Sequence, residues 1–310
     1  MTETPPPVIA VVVTYQPDPV ALCALVDALA GQVRKTLVVD NGSHADVAAL
    51  LDRAWPGSGA YEAVRLGTNL GVAAAQNAGI RLARAAGAEA VILFDQDSLP
   101  APDMVARLLA AVRDATTRGI AVAAAGPRYT DVRQNNPPPF LRIRGVSVER
   151  MPCPDEATVV EVDYLISSGC LIPLPAIDRV GAMREDLFID YVDIEWGLRA
   201  RRKGLTCLGV CGAHMRHDLG EAPLVLFGRR LPLHSPLRHY YHFRNAVRLY
   251  CEPGLPWNWK LADAWRLLLK YGVYSLCARP RFEHWRMMTL GIVHGLRRRM
   301  GQYTPSPRGH

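Results

Sequence analysis

The feature that most constrains this chain is an alternation, over its first 127 residues, of short apolar runs with longer segments of helical period. Residues 8–14 form an unbroken run rich in β-branched side chains, closed by Tyr15-Gln16-Pro17-Asp18-Pro19, and residues 19–31 then follow a helical period that ends at glycine. The pair recurs, with strands expected at 36–40, 61–66, 90–95 and 120–126 and helices at 44–54, 71–86 and 103–118. Strands that are apolar throughout must be covered on both faces, as in a parallel sheet between two layers of helices. The expected fold class is α/β, a mostly parallel sheet covered by helices, with residues 7–127 as a nucleotide-binding half.

Beyond Gly126 the composition turns to Pro, Arg and Asn, and Gln134-Asn135-Asn136-Pro137-Pro138-Pro139 reads as a long loop at a subdomain boundary. Strands are expected at 159–163 and, broken by Ser167-Ser168-Gly169, at 164–173; a helix follows at 192–203 and a strand at 205–210. From residue 237 the pattern is helical and basic, over 239–251, 257–277 and 281–300. The division expected is a domain over 1–236, in halves of 7–127 and 128–236, followed by a helical C-terminal region over 237–310.

At 310 residues, 49% hydrophobic and 21% charged, the chain is long enough for one large domain or two modest ones. Its formal net charge of +7 favours acidic partners without choosing among them. The seven cysteines, at 23, 153, 170, 207, 211, 251 and 277, present no paired framework, which suits a reducing compartment. With no basic, apolar leader at residues 1–7 and no apolar stretch near the ~18 residues needed to span a bilayer, the expectation is a cytoplasmic protein, free or peripheral at the inner face of the cell membrane.

In open parallel sheets ligands bind beyond the carboxyl ends of the strands. This chain gathers polar residues there: Thr14-Tyr15, Asp40-Asn41-Gly42-Ser43, Asn69-Leu70-Gly71 and Asp95-Gln96-Asp97-Ser98. Each taken alone is equally a turn or a helix cap. The loop after the first strand holds no glycine, and neither a dinucleotide fingerprint nor a P-loop is present, so a bound diphosphate needs another counter-charge. Asp95 and Asp97, flanking one residue after an apolar strand, offer two hard oxygen ligands for Mg2+ or Mn2+. A second acidic cluster, Asp190, Asp193 and Glu195, opens the helix at 192–203. Helix dipole and capping account for one or two of these acids. A carboxylate able to take a proton from an attacking hydroxyl accounts for a third, and Asp193 is the candidate general base. Cys207, Cys211, His214 and His217 do not match a structural-zinc spacing; His217, followed by Asp218, reads either as one further ligand for the metal at Asp97 or as a loop histidine.

Together, Val11-Val12-Val13-Thr14-Tyr15, Val38-Val39-Asp40-Asn41-Gly42-Ser43, Asn69-Leu70-Gly71 with Gln76-Asn77-Ala78-Gly79, Phe94-Asp95-Gln96-Asp97-Ser98, Ser168-Gly169, Phe188 to Trp196 and His217-Asp218 resemble the inverting family 2 glycosyltransferases of GT-A fold. The resemblance is closest to their bacterial rhamnosyltransferase branch and runs from Val8 to about Gly301. It implies that Thr14, Tyr15, Asp40 and Asn69 line the nucleobase and ribose pocket. Asn41, Gly71, Asn77 and Gln96 belong to the same donor side, and Asp95 faces the ribose and diphosphate. Asp97 and His217 hold the metal, Asp193 is the base, and Ser168, Gly169, Glu195 and Trp196 lie by the acceptor or donor sugar. The implied donor is dTDP-β-L-rhamnose, and the implied acceptor is a saccharide, lipid-linked, in cell-surface polysaccharide synthesis. The chain departs from the family at Val192, where many relatives carry an acid directly before the base. Two alternatives stand beside this reading: transfer of another sugar from a UDP or dTDP donor, and a non-catalytic sugar-nucleotide-binding protein at a membrane.

The C-terminal region mixes tryptophan with Lys and Arg: Trp257, Trp259, Lys260, Trp265, Arg266 and Lys270, then Arg279, Arg281, Trp285, Arg286 and Arg297-Arg298-Arg299. Such helices suit either an anionic membrane surface or packing on the domain and on a second copy in a homo-oligomer. Nucleic acid is not expected as a partner, since no nucleic-acid module accompanies the charge.

Overall fold

The computed structural model describes residues 7–55, 59, 61–131, 140–145, 147–217, 224–226, 229–231 and 233–305. The expected loop at 134–139 and Asp218 lie outside them. The strands are β1 (Val8–Thr14), β2 (Lys35–Asp40), β3 (Tyr61–Arg65), β4 (Ala90–Asp95), β5 (Ser98–Pro100), β6 (Val122–Asp131), β7 (Phe140–Arg144), β8 (Ser147–Met151), β9 (Val159–Val162), β10 (Cys170–Pro173), β11 (Thr206–His217), β12 (Leu224–Leu226) and β13 (Arg229–Leu231). The helices are α1 (Pro19–Leu29), α2 (Val47–Ala54), α3 (Val72–Ala85), α4 (Met104–Thr117), α5 (Leu174–Val180), α6 (Val192–Arg202), α7 (Pro236–Tyr250), α8 (Trp257–Cys277) and α9 (Arg281–Leu296).

Helix starts follow local chemistry. Asp18 and Asp46 accept the Ala21 and Ala49 N–H groups at the heads of α1 and α2, and Ser235 caps α7. Alternate residues of β1 feed two cores. Val8, Ala10 and Val12 pack with α1, α2 and α4, whereas Ile9, Val11 and Val13 pack with α3, α5 and α6. The two-faced burial expected of an apolar strand is thus realised.

The main sheet runs β3-β2-β1-β4-β10-β6-β11-β5, with β9 paired to β11. β1 to β4 pair in parallel in order 3-2-1-4, as does β6 with β11, but β10 lies antiparallel between β4 and β6. One sheet therefore takes strands from both halves of the chain. Of the strand expected at 164–173, only Cys170–Pro173 forms. The strands expected to end at Gly126 and Val210 run on to Asp131 and His217, because β6 and β11 continue to pair beyond a bulge between Val210 and His214. β5 then pairs antiparallel with the end of β11, setting His217 opposite Ser98. Neither this extension nor β5 is written in the local sequence: Cys211-Gly212-Ala213-His214 has weak strand character, and pairing supplies what propensity does not.

The expectation of cysteines without pairing is corrected at one place. Cys153 and Cys211 form a disulfide with Cα atoms 5.6 Å apart, because Cys211 on β11 is brought against the segment after β8. Cys23, Cys170, Cys207, Cys251 and Cys277 are free.

The C-terminal helices are part of the same body. Phe243, Ala246, Leu249, Trp259, Leu267 and Tyr274 form a core with Tyr191 and Leu198 of the α6 region.

Candidate active site

The strand ends assemble one polar edge. Thr14 closes β1 with its Oγ1 buried and without a hydrogen-bond partner, leaving an unspent polar atom at the mouth of the sheet. Next to it the Tyr15 backbone is bonded twice to Gln96: its N–H donates to Oε1 at 2.8 Å and its carbonyl accepts from Nε2 at 3.2 Å. Gln96 therefore ties the ends of β1 and β4 together, while the Tyr15 ring stands 45% exposed above the edge. Asp40 Oδ1 accepts the Ser43 N–H at 2.9 Å. Asn41 Nδ2 donates to Asn69 Oδ1, and Asn41 Oδ1 accepts the Leu70 N–H, so two loops close on each other. Gly71 has φ +92°, and a Cβ there would lie 2.6 Å from the Phe188 carbonyl oxygen; glycine is required for the close approach of that segment.

Asn77, which the resemblance sets on the donor side, has its amide bonded to the Met183 and Glu185 segment. Nδ2 donates to the Met183 carbonyl and Glu185 Oε1, and Oδ1 accepts the Met183 N–H. Buried on α3, it pins the segment leading to the second acidic cluster.

Asp95, Asp97 and His217 each offer one ligand atom, all within 4.8 Å of one another. His217, buried at the end of β11, has Nδ1 2.8 Å from Ser98 Oγ and 3.4 Å from Asp97 Oδ1. Ser98 Oγ lies 2.6 Å from Ser168 Oγ, which accepts the Asp95 N–H at 3.1 Å. Ser168 thus sits behind the acidic turn and orients it. The adjacent Gly169, at φ +74°, has no room for a Cβ against Pro127. Two carboxylates and an imidazole converging this closely suit a divalent cation with oxygen-rich coordination. The remaining members of the Cys207, Cys211, His214 and His217 set are scattered: Cys207 is buried, Cys211 is in the disulfide, and His214 Nε2 is 3.7 Å from Glu156.

Asp193 lies in the first turn of α6, half-buried, with Oδ1 accepting the Ile194 N–H at 2.8 Å. Burial pushes its carboxyl up to about 6; the charges of Asp190 and Asp95 push the same way, and the Ile194 N–H opposes them. A carboxylate with that value, close enough to feel Asp95, is poised to take a proton near neutral pH. The chain before it is strained: Phe188, Asp190 and Tyr191 have φ of 65°, 63° and 65°.

That strain is held by residues that sequence reasoning did not single out as site residues. Asn245 of α7, fully buried, donates through Nδ2 to the carbonyls of Leu187, Ile189 and Asp190. Arg244 beside it donates to the carbonyls of Leu187 and Gly301. Asp263 of α8 accepts the hydroxyls of Tyr191 and Tyr250. The one sequence signal is an Arg-Asn pair set among Tyr240, Tyr241, Phe243, Ala246 and Leu249 of α7.

Glu195 and Trp196, expected by a sugar, are committed to packing. Both Glu195 carboxylate oxygens accept from Arg199, four residues on, and Trp196 Nε1 donates to the Gly181 carbonyl from within the core.

Comparison with known proteins bears on the family and the fold. The model of the family described as Glycosyl transferase family 2 matches residues 9–160. The dTDP-rhamnosyl transferase RfbF of Shigella flexneri is 30% identical over 292 residues, covering 93% of this chain and 95% of that protein. GalNAc-T7, solved with UDP, GalNAc and Mn2+, has a TM-score of 0.61 at 13% identity; the match covers 95% of this chain but only 56% of GalNAc-T7. S. aureus TarS 1-349 has a TM-score of 0.56 at 14% identity, covering 94% of this chain and 81% of that one. At such identities the two structures bear on the fold alone, which is GT-A.

Proposed function

The chain belongs to glycosyltransferase family 2, and from that premise we propose that it is an inverting rhamnosyltransferase of cell-surface polysaccharide synthesis. Its donor is dTDP-β-L-rhamnose, a reading supported by the dTDP-rhamnosyl in the name of the relative it matches over nearly its whole length, and its acceptor is a saccharide carried on a lipid. The observation that carries the reading is the placement of Asp193, with its raised carboxyl, within electrostatic reach of Asp95 and so of the acidic turn.

The nucleoside lies along the edge of Thr14, Tyr15, Asp40 and Asn69, with the Tyr15 ring free to cover it. Asp97 and His217 would hold Mg2+ or Mn2+, with Asp95 on the ribose and diphosphate side. When bound, the ion supplies counter-charge to the diphosphate that no glycine-rich loop provides here. Asp193 accepts the proton of the acceptor hydroxyl as that oxygen forms its bond to the anomeric carbon. The carbon–oxygen bond to the diphosphate breaks on the opposite face, its electron pair leaving with dTDP. One displacement inverts the centre, giving an α-L-rhamnoside and a protonated Asp193.

The test compares two variants by isothermal titration with donor and by transfer assay. Asp193→Asn should bind donor with metal as the wild type does yet lose transfer by about 10²–10⁴-fold. Asp97→Ala should lose metal-dependent donor binding. Transfer by Asp193→Asn near the wild-type rate would refute the base assignment, and tighter metal-dependent binding of a different sugar nucleotide would refute the donor.

A further inference from the structure

Helix α8 has two apolar faces. Trp259, Leu267 and Tyr274 are buried against the protein. On the opposite side Trp257, Leu261, Trp265 and Leu268 recur at helical spacing and are 66%, 54%, 62% and 61% exposed. After a three-residue turn, Phe282 and Trp285 open α9 with more than two fifths of each side exposed to solvent and their rings 5.7 Å apart. Isolated exposed apolar residues are ordinary, but a stripe with three exposed tryptophans and a phenylalanine marks an interaction surface.

The charge of the chain says what covers it. Residues 237–310 carry 13 Lys and Arg against 3 Asp and Glu, whereas residues 1–236 carry 23 against 26; the entire positive excess lies in the last quarter. Arg266, Arg281, Arg286 and Arg297-Arg298-Arg299 are exposed on α8, on α9 and just after it. Among the described residues no helix is long and apolar enough to cross a membrane.

We propose that α8 and the start of α9 form a docking face for an anionic lipid bilayer, lying in its interface with the tryptophans at headgroup depth and the arginines against lipid phosphates. A second copy of the chain fits less well, because a twofold contact would set this basic fringe against its own image. The face is joined to the active site: Asp263, on α8, accepts the hydroxyl of Tyr191, two residues before Asp193, at 2.8 Å. Docking therefore fixes how the base is presented to an acceptor held at the bilayer surface.

Flotation of the full chain, without donor or acceptor, tests this independently of the chemistry above. Vesicles of phosphatidylcholine containing phosphatidylglycerol should carry the protein up the gradient, and vesicles of phosphatidylcholine alone should not; added salt should weaken the binding. The double variant Trp257→Ser/Trp265→Ser, altered only at exposed positions, should melt as the wild type does and bind about tenfold more weakly or worse. Failure to float with either vesicle, or equal flotation of the variant, would overturn the proposal. So would a dimer, seen by light scattering, that the double variant dissociates, since a second copy would then be the occupant.

Discussion

Asp97 and Asp193, the metal ligand and the base of the proposed mechanism, stand on contrasting supports. The turn at 95–97 grows straight out of β4, contains no left-handed residue, and is backed by Ser98 and His217 on the paired β5 and β11 and by Ser168 in the turn before β10. The segment before Asp193 has three non-glycine residues at positive φ and is held by Asn245, Arg244 and Asp263, more than 50 positions further along the chain. The metal side is thus a property of the sheet, and the base side a property of how the C-terminal helices dock on it. Perturbing one support should leave the other nearly intact.

The largest effect that separates the two supports is expected from Asn245→Ala. It removes the amide that donates to the Leu187, Ile189 and Asp190 carbonyls, of which Leu187 keeps the bond from Arg244, and should cost about 2–3 kcal/mol of stability, measured by urea denaturation. It should also lower kcat while donor affinity stays near the wild-type value; a parallel loss of donor affinity would break the contrast. Ser168→Ala acts on the other side, removing the hydroxyl that accepts the Asp95 N–H, and should weaken metal binding about tenfold, read by metal titration of donor binding. An altered pH dependence of transfer in that variant would mean that the two supports are coupled. The smallest effect is expected from Glu195→Gln, which keeps part of the bond to Arg199 and should cost about 1 kcal/mol with acceptor KM unchanged. A raised acceptor KM would show that Glu195 also serves the sugar site.

The same contrast explains what the sequence disclosed. The four parallel strands and the carboxylates at their ends were legible because each strand announces itself by a local apolar run, and the binding edge of such a sheet follows from topology. His217 could be named as a ligand candidate, but its route could not, since β11 reaches Ser98 through pairing with β6 and β5 rather than through its own propensity. The antiparallel insertion of β10 and the Cys153–Cys211 bond are likewise long-range outcomes. Motif resemblance assigns Gln96, Asn77, Glu195 and Trp196 to the donor or the sugar, whereas the structure shows their polar atoms bonded within the protein. A polar residue next to a motif is as readily spent on holding the motif, and only the hydrogen-bond partners tell the two uses apart.

The central claim is that Asp193 acts as the base with a carboxyl held well above its ordinary value by burial. A carboxylate must be ionised to accept a proton, so activity is present above its pKa and lost as pH falls through it. The pH profile of kcat/KM for transfer, at saturating metal, tests this most directly. The expected profile has an acid limb of unit slope with its bend near pH 6, the value to which Asp193 is raised, followed by a plateau towards neutral pH. A profile that stays flat down to the ordinary carboxylate range, about pH 4, would contradict it.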